Sequence, residues 1–134
     1  VSEMTVIVTD TGFAADDWTG GFDGSNVLEL ASDANLNDVP LDGVELVRVE
    51  FPSFADGRGF TLARQLRLRG YEGRLRAFGH VIADQYAMAR RSGFDEVELS
   101  DELAARQPED QWLARANWQD HSYQARLRGS TAAR

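Results

Sequence analysis

The chain has no cysteine and no lysine, and only two histidines and three prolines. Without a thiol there is no cysteine nucleophile, no dithiol redox couple, no cysteine-bound zinc and no thiolate-held iron–sulfur cluster. Without lysine there is no Schiff-base chemistry and no amine general base, since all 14 basic residues are Arg. His80 and His121 are too few for a His-rich metal site, although carboxylates are able to complete one. No apolar run approaches the roughly 18 residues of a membrane span. The opening Val1-Ser2-Glu3-Met4 lacks the basic and apolar regions of a secretory signal, so the expected location is the cytoplasm. Positive charge is also short. A net charge of −8 and a pI near 4.7 argue against nucleic acid, whose phosphates need a clustered basic face.

What is present suits one α/β domain. A chain of 134 residues with 43% hydrophobic and 27% charged residues is globular in composition. At this size about 68% of the unfolded surface is buried on folding, enough for a core without metal or disulfide. Residues 1–134 read as a single domain: a strand and loop region over 1–43, βα units over 44–107, and a helix and tail over 108–134. Residues 4–9 (Met-Thr-Val-Ile-Val-Thr) are β-branched and predict a strand. Residues 10–24 read as a loop pinned by Phe13, Trp18 and Phe22, and 27–30 as a short strand. Val44-Glu-Leu-Val-Arg-Val-Glu-Phe51 alternates and then runs apolar, as a strand near the sheet centre does.

After that strand the pattern is strand, helix, strand, helix, strand. Leu62, Ala63 and Leu66 repeat at helix spacing over 61–69, with Gly70 as the stop. Residues 75–78 predict a strand, 81–92 a second helix carrying Ile82, Tyr86 and Ala89, and 97–99 a third strand. Ser100 is a cap for a third helix, with Asp101 and Glu102 in its first turn, and Pro108 opens a fourth. Residues 123–127 read as a returning strand or extended surface chain. Short connections in this order predict a mainly parallel sheet, either open or resembling part of a β/α barrel.

In open α/β sheets ligands bind beyond the carboxyl ends of the strands, and two loops stand there. The first, Phe51-Pro-Ser-Phe-Ala-Asp-Gly-Arg-Gly-Phe-Thr61, offers Gly57 and Gly59 for outward N–H groups and Arg58 for a forked cation, an anion seat at a helix start. The alternative is a tight strand-to-helix turn with Asp56 as a local cap. The second loop runs from Arg76-Ala-Phe-Gly79 into His80-Val-Ile-Ala-Asp-Gln85. Arg76 lies in a strand and needs carboxylates to offset its burial. Asp56 and Asp84, in the adjacent βα loops, are its expected partners. Arg76 is then either a structural bridge or a second cation converging with Arg58 on a ligand. Asp56, His80 and Asp84 are the candidate proton-transfer groups, and His80 reads equally as a helix-start residue. No Ser-His-Asp set is convincing, since nothing resembles a nucleophile elbow around Ser53. Trp112, Trp118 and Tyr123 are core aromatics or a partner or homodimer face. No metal ligand set and no cofactor motif is visible: no Gly-x-Gly-x-x-Gly follows the first strand, and no flavin site is recognisable.

Together with Gly73-Arg-Leu-Arg-Ala-Phe-Gly79, Asp84-Gln85, Met88, Arg91, Gly93-Phe-Asp95, Ala15-Asp-Asp-Trp18 and Ser122-Tyr-Gln124, these loops make the chain resemble the bacterial domain-of-unknown-function family 934. The likeness covers most of the chain, with a middle section over 26–41 that looks shortened. Members of that family are typically encoded beside sulfite reductase and the enzymes of assimilatory sulfate reduction, and some carry an oxidoreductase label. The resemblance implies an accessory role in sulfite reduction and cysteine biosynthesis. The partner would be a small anion, or sulfite reductase or another enzyme of that route. The alternative it implies is a small oxidoreductase acting on a sulfur- or phosphate-containing anion. Relatives often carry an acidic residue at the position of His80 and Cys at the position of Ser92.

Overall fold

Residues 5–18 and 26–118 are described by the computed structural model. Six strands form one open mixed sheet: β1 (Thr5–Thr9), β2 (Gly12–Ala14), β3 (Val27–Leu30), β4 (Leu46–Phe51), β5 (Arg74–Gly79) and β6 (Glu96–Ser100), in the order β2-β1-β6-β5-β4-β3. β3, β4, β5 and β6 run parallel, while β1 lies antiparallel to β6 and β2 antiparallel to β1. The open α/β sheet predicted from the strand–helix alternation is the one found. Two parts of it were not expected. Gly12–Ala14 is a strand rather than loop, made by a hairpin whose turn is Asp10-Thr11, and β1 runs against its neighbour β6.

Helix α1 (Arg58–Leu68) joins β4 to β5, and α2 (Tyr86–Ser92) joins β5 to β6. α2 starts later than its apolar spacing predicts, because residues 83–85 form a 3-10 turn in which the Gln85 side chain accepts from the Ile82 N–H. α3 (Asp101–Arg106) and α4 (Glu109–Leu113) follow β6. Ser100 caps α3 as expected, accepting from the Leu103 N–H at 3.3 Å. Pro108 stands at the N-cap of α4.

Side chains alternate across a strand, which divides the sheet into two unlike faces. Val8, Val47, Val49, Phe51, Leu75, Ala77, Val97 and Leu99 face the helices and join Phe60, Leu62, Ala63, Leu66, Tyr86, Ala89 and Trp112 in one core. Phe51 is its hinge, with ring centroids 5.0 Å from Phe60 and 5.9 Å from Phe94. Trp112 is buried edge-on to Tyr86 and belongs to the core, and Trp118 packs partly against it. Tyr123 and His121 lie outside the described residues.

The opposite face carries charge. Registered pairs set Glu29 beside Arg48, Arg48 beside Arg76, Arg76 beside Glu96 and Phe78 beside Glu98. Arg48 binds Glu98 with two hydrogen bonds (3.2 and 2.9 Å), reaches Glu29 at 3.1 Å and lies 4.1 Å above the Phe78 ring. Arg76 is 0% exposed. Its Nε donates to Glu96 at 2.6 Å, Nη1 to Glu98 and Asp16, and Nη2 to Asp16, the last three at 3.0 Å. Arg74 binds Glu96 and Asp17 beside it. Asp16 and Asp17 belong to the segment after β2, which this ladder ties down on the helix-free face. Burial works against the Arg76 charge, but the carboxylates outweigh it and raise its pKa further.

Candidate functional site

The carboxyl ends of β3, β4 and β5 form a rim where the two predicted loops meet. Gly79 makes the meeting possible. Its φ is +106°, and a Cβ there would lie 2.6 Å from the Phe51 carbonyl oxygen, so only glycine brings the strands this close. The His80 N–H then donates to that same carbonyl at 2.8 Å. One loop further out, the Gln85 amide donates to the Phe54 carbonyl at 2.7 Å. The turn between β4 and α1 is internally tied as well. Ser53 accepts from the Ala55 N–H at its hydroxyl and from the Asp56 N–H at its carbonyl.

Arg58 begins α1 on this rim, and its side chain is 62% exposed. It is nevertheless fixed. Nε donates to Asp56 Oδ1 at 3.0 Å, Nη2 to Asp56 Oδ2 at 2.8 Å and to the Ser32 hydroxyl at 3.2 Å. Ser32, buried just beyond β3, donates in turn to Asp56 at 2.9 Å. Hydrogen bonds from the Arg58 side chain, its backbone N–H and Ser32 hold the Asp56 carboxyl well below the usual carboxylate range. Asp56 is therefore an ionised orienting group and not a proton carrier near neutrality. Among the described residues Arg58 Nη1 meets no acceptor. The guanidinium thus presents one donor edge outward from a preset position.

The glycines of this turn do other work than expected. Neither Gly57 nor Gly59 has positive φ. Gly59 is buried where α1 presses on β4, and a Cβ there would lie 2.5 Å from the Phe51 ring. Gly57 has space for a side chain, with Phe60 no nearer than 3.9 Å. The Asp56 cap onto the Arg58 N–H, at 3.1 Å, is the local turn that sequence reasoning weighed against the anion seat, and it leaves the Arg58 side chain exposed.

Arg76 does not join Arg58. The expected pairing with Asp56 and Asp84 is corrected: Asp56 holds Arg58, Asp84 holds Arg115 at 2.9 Å, and Arg76 binds Asp16, Glu96 and Glu98. The reason is strand alternation. Arg76 points to the helix-free face, away from the turn it precedes, so convergence of the two arginines on one ligand is abandoned. The bridging role weighed for Arg76 is the one it has. Sequence reasoning missed these partners; the alternation of charge with core residues in Glu96-Val-Glu-Leu99 was a signal for two of them, but it does not say which strand lies beside β6. Asp56, His80 and Asp84 occupy neighbouring turns without forming a relay. The exposed His80 imidazole hydrogen-bonds to none of the described residues.

Ser32 was missed by sequence reasoning, because its closeness to Asp56 depends on β3 pairing with β4. No group of three or more His, Cys, Asp or Glu among the described residues is arranged to hold a metal ion. No helix among them is long and apolar enough to cross a membrane. Neither the curated proteins nor the solved structures contain a match to this chain. A family does match: residues 27–133 fit the family described as bacterial protein of unknown function (DUF934), and the chain belongs to it.

Proposed function

We propose that the protein is an accessory component of assimilatory sulfate and sulfite reduction, and so of cysteine biosynthesis. In this reading it holds a small anion, or an anionic group of a partner enzyme, at the rim around Arg58. The observation that carries the binding part is the pre-oriented guanidinium. Asp56 and Ser32 fix its fork, so little side-chain entropy is lost when an anion meets the outward edge. Asp56 also cancels much of its charge, which favours a weakly held oxyanion such as sulfite or sulfate over tight capture of a polyanion. The metabolic setting is supported by the gene neighbourhood that the family resemblance implies, and a cytoplasmic location goes with it. Binding is favoured over catalysis because Asp56, His80 and Asp84 stand apart, two of them engaged by arginines.

Titration calorimetry with sulfite and sulfate tests this reading. Wild type should bind at least one of them, and Arg58→Ala should weaken that binding about tenfold with the melting temperature nearly unchanged, since exposed ion pairs contribute about 0–1 kcal/mol. Equal binding by the two proteins would discard the Arg58 seat.

A further inference from the structure

We infer that Asp42 is a site of spontaneous covalent modification: its side-chain carboxyl closes on the Gly43 nitrogen to a cyclic imide, which reopens with water to isoaspartate. The chain has three Asp-Gly pairs, at 23–24, 42–43 and 56–57. Such pairs are the most open to this reaction, because glycine sets no side chain beside the attacking nitrogen. The first pair lies outside the described residues. The other two stand in opposite surroundings, which make one reactive and protect the other.

Asp42 and Gly43 are the exposed middle of the turn that leads into β4. The Val44 N–H donates to the Leu41 carbonyl at 3.2 Å, and Gly43 takes a φ of +78° at the third position, as a type II turn requires. A Cβ on Gly43 would meet nothing within 4 Å, so there is room for the ring. Among the described residues nothing hydrogen-bonds to the Asp42 carboxylate or the Gly43 N–H. Both reacting groups are therefore free. The nitrogen attacks the neutral form of the carboxyl; an N–C bond forms, a C–O bond breaks, and water leaves with the N–H proton. Water then adds at the main-chain carbonyl of the imide and opens it there. The chain now runs through the former side chain, one methylene longer and unchanged in mass. The extra length falls between Leu41 and Val44, both packed partly on the core, at the entry to β4.

Asp56 is held where Asp42 is free. Its carboxylate accepts from the Arg58 N–H, Nε and Nη2 and from the Ser32 hydroxyl. Turning toward the Gly57 nitrogen breaks those bonds. The same bonds keep the carboxyl well below its usual range, so its reactive neutral form is scarce.

The test stores full-length wild type and Arg58→Ala for weeks, warm and near neutral pH, both folded and in guanidinium chloride. Isoaspartate is then measured position by position with electron-transfer fragmentation mass spectrometry, and thermal melts verify that the variant folds. In folded wild type the yield at 42 should exceed that at 56 by about tenfold or more, since each unit of pKa depression removes about nine-tenths of the neutral carboxyl. In guanidinium the two positions should react alike. Arg58→Ala should raise the yield at 56 in the folded protein and leave that at 42 unchanged. An unmodified residue 42, or equal yields at 42 and 56 in folded wild type, would overturn the inference. A residue 56 that stays inert in guanidinium, or in folded Arg58→Ala, would overturn the protection assigned to the Arg58 clamp.

Discussion

Arg58 and Arg76 show how one residue type takes opposite roles. Arg58 is exposed, held by one carboxylate and open along an edge, whereas Arg76 has no exposed surface and three carboxylates around it. Exposure decides which of them is able to meet a ligand. Burial also exposes a local defect. The Ser92 hydroxyl, at the last residue of α2, is buried and has no hydrogen-bond partner among the described residues. An unsatisfied buried hydroxyl costs about 1–3 kcal/mol, and a thiol, a weak hydrogen-bonding group, would suffer less there. Ser92→Ala should therefore raise stability by about 1 kcal/mol in urea unfolding; a loss of stability would show that the hydroxyl is paired after all.

Among the elements, those built from local periodicity were legible in the sequence. α1 has apolar residues at helix spacing, and β4 joins alternation to an apolar run, so the β4–α1–β5–α2–β6 series follows from the chain itself. β2 was not legible. Three residues carry too little pattern, and Gly12–Ala14 becomes a strand only by pairing with β1. The direction of β1 is likewise non-local, since nothing in Thr5–Thr9 says which way its neighbour runs. The same limit hid the partners of Arg76. The turns nearest in sequence were the natural guess, but alternation turned its side chain to Glu96, Glu98 and the distant Asp16. The turn that carries Arg58 was readable because residues 51–61 are continuous in sequence, whereas Ser32, His80 and Gln85 reach it from other segments. The ladder on the helix-free face supports a sharp expectation. Arg76→Ala leaves Glu96 and Glu98 buried without their shared cation, and breaking such a network costs about 3–5 kcal/mol. A melting temperature equal to wild type would show that the ladder contributes nothing.

Across the whole molecule the ion pairs set a pH window. Asp10, Asp16 and Asp56 all have folded-state pKa values below their unfolded ones. For Asp10 and Asp16 burial pulls upward, but hydrogen bonds from Tyr86 and Arg90, and from Arg76 and the Trp18 N–H, outweigh it. A depressed carboxyl contributes stability above its unfolded value near 3.9, and that contribution is lost as pH falls toward its folded value. Two tyrosines act at the other end. Burial pushes Tyr71 up to about 12 and raises Tyr86 as well, helped there by the bond to Asp10. Their contribution is complete below about pH 10 and is lost as pH rises through the folded values. Stability should thus be nearly flat from about pH 5 to about pH 9 and fall on both sides; a maximum below pH 4 would contradict these shifts. The helix-free face of the sheet carries the ladder that ties the fold together, and the proposed anion seat lies apart from it at the rim. Amide chemical-shift mapping during a sulfite titration tests that division most directly. Perturbations centred on Ser32 and residues 56–59 are predicted. Perturbations confined to residues 74–78 and 96–99, or none at all, would contradict it.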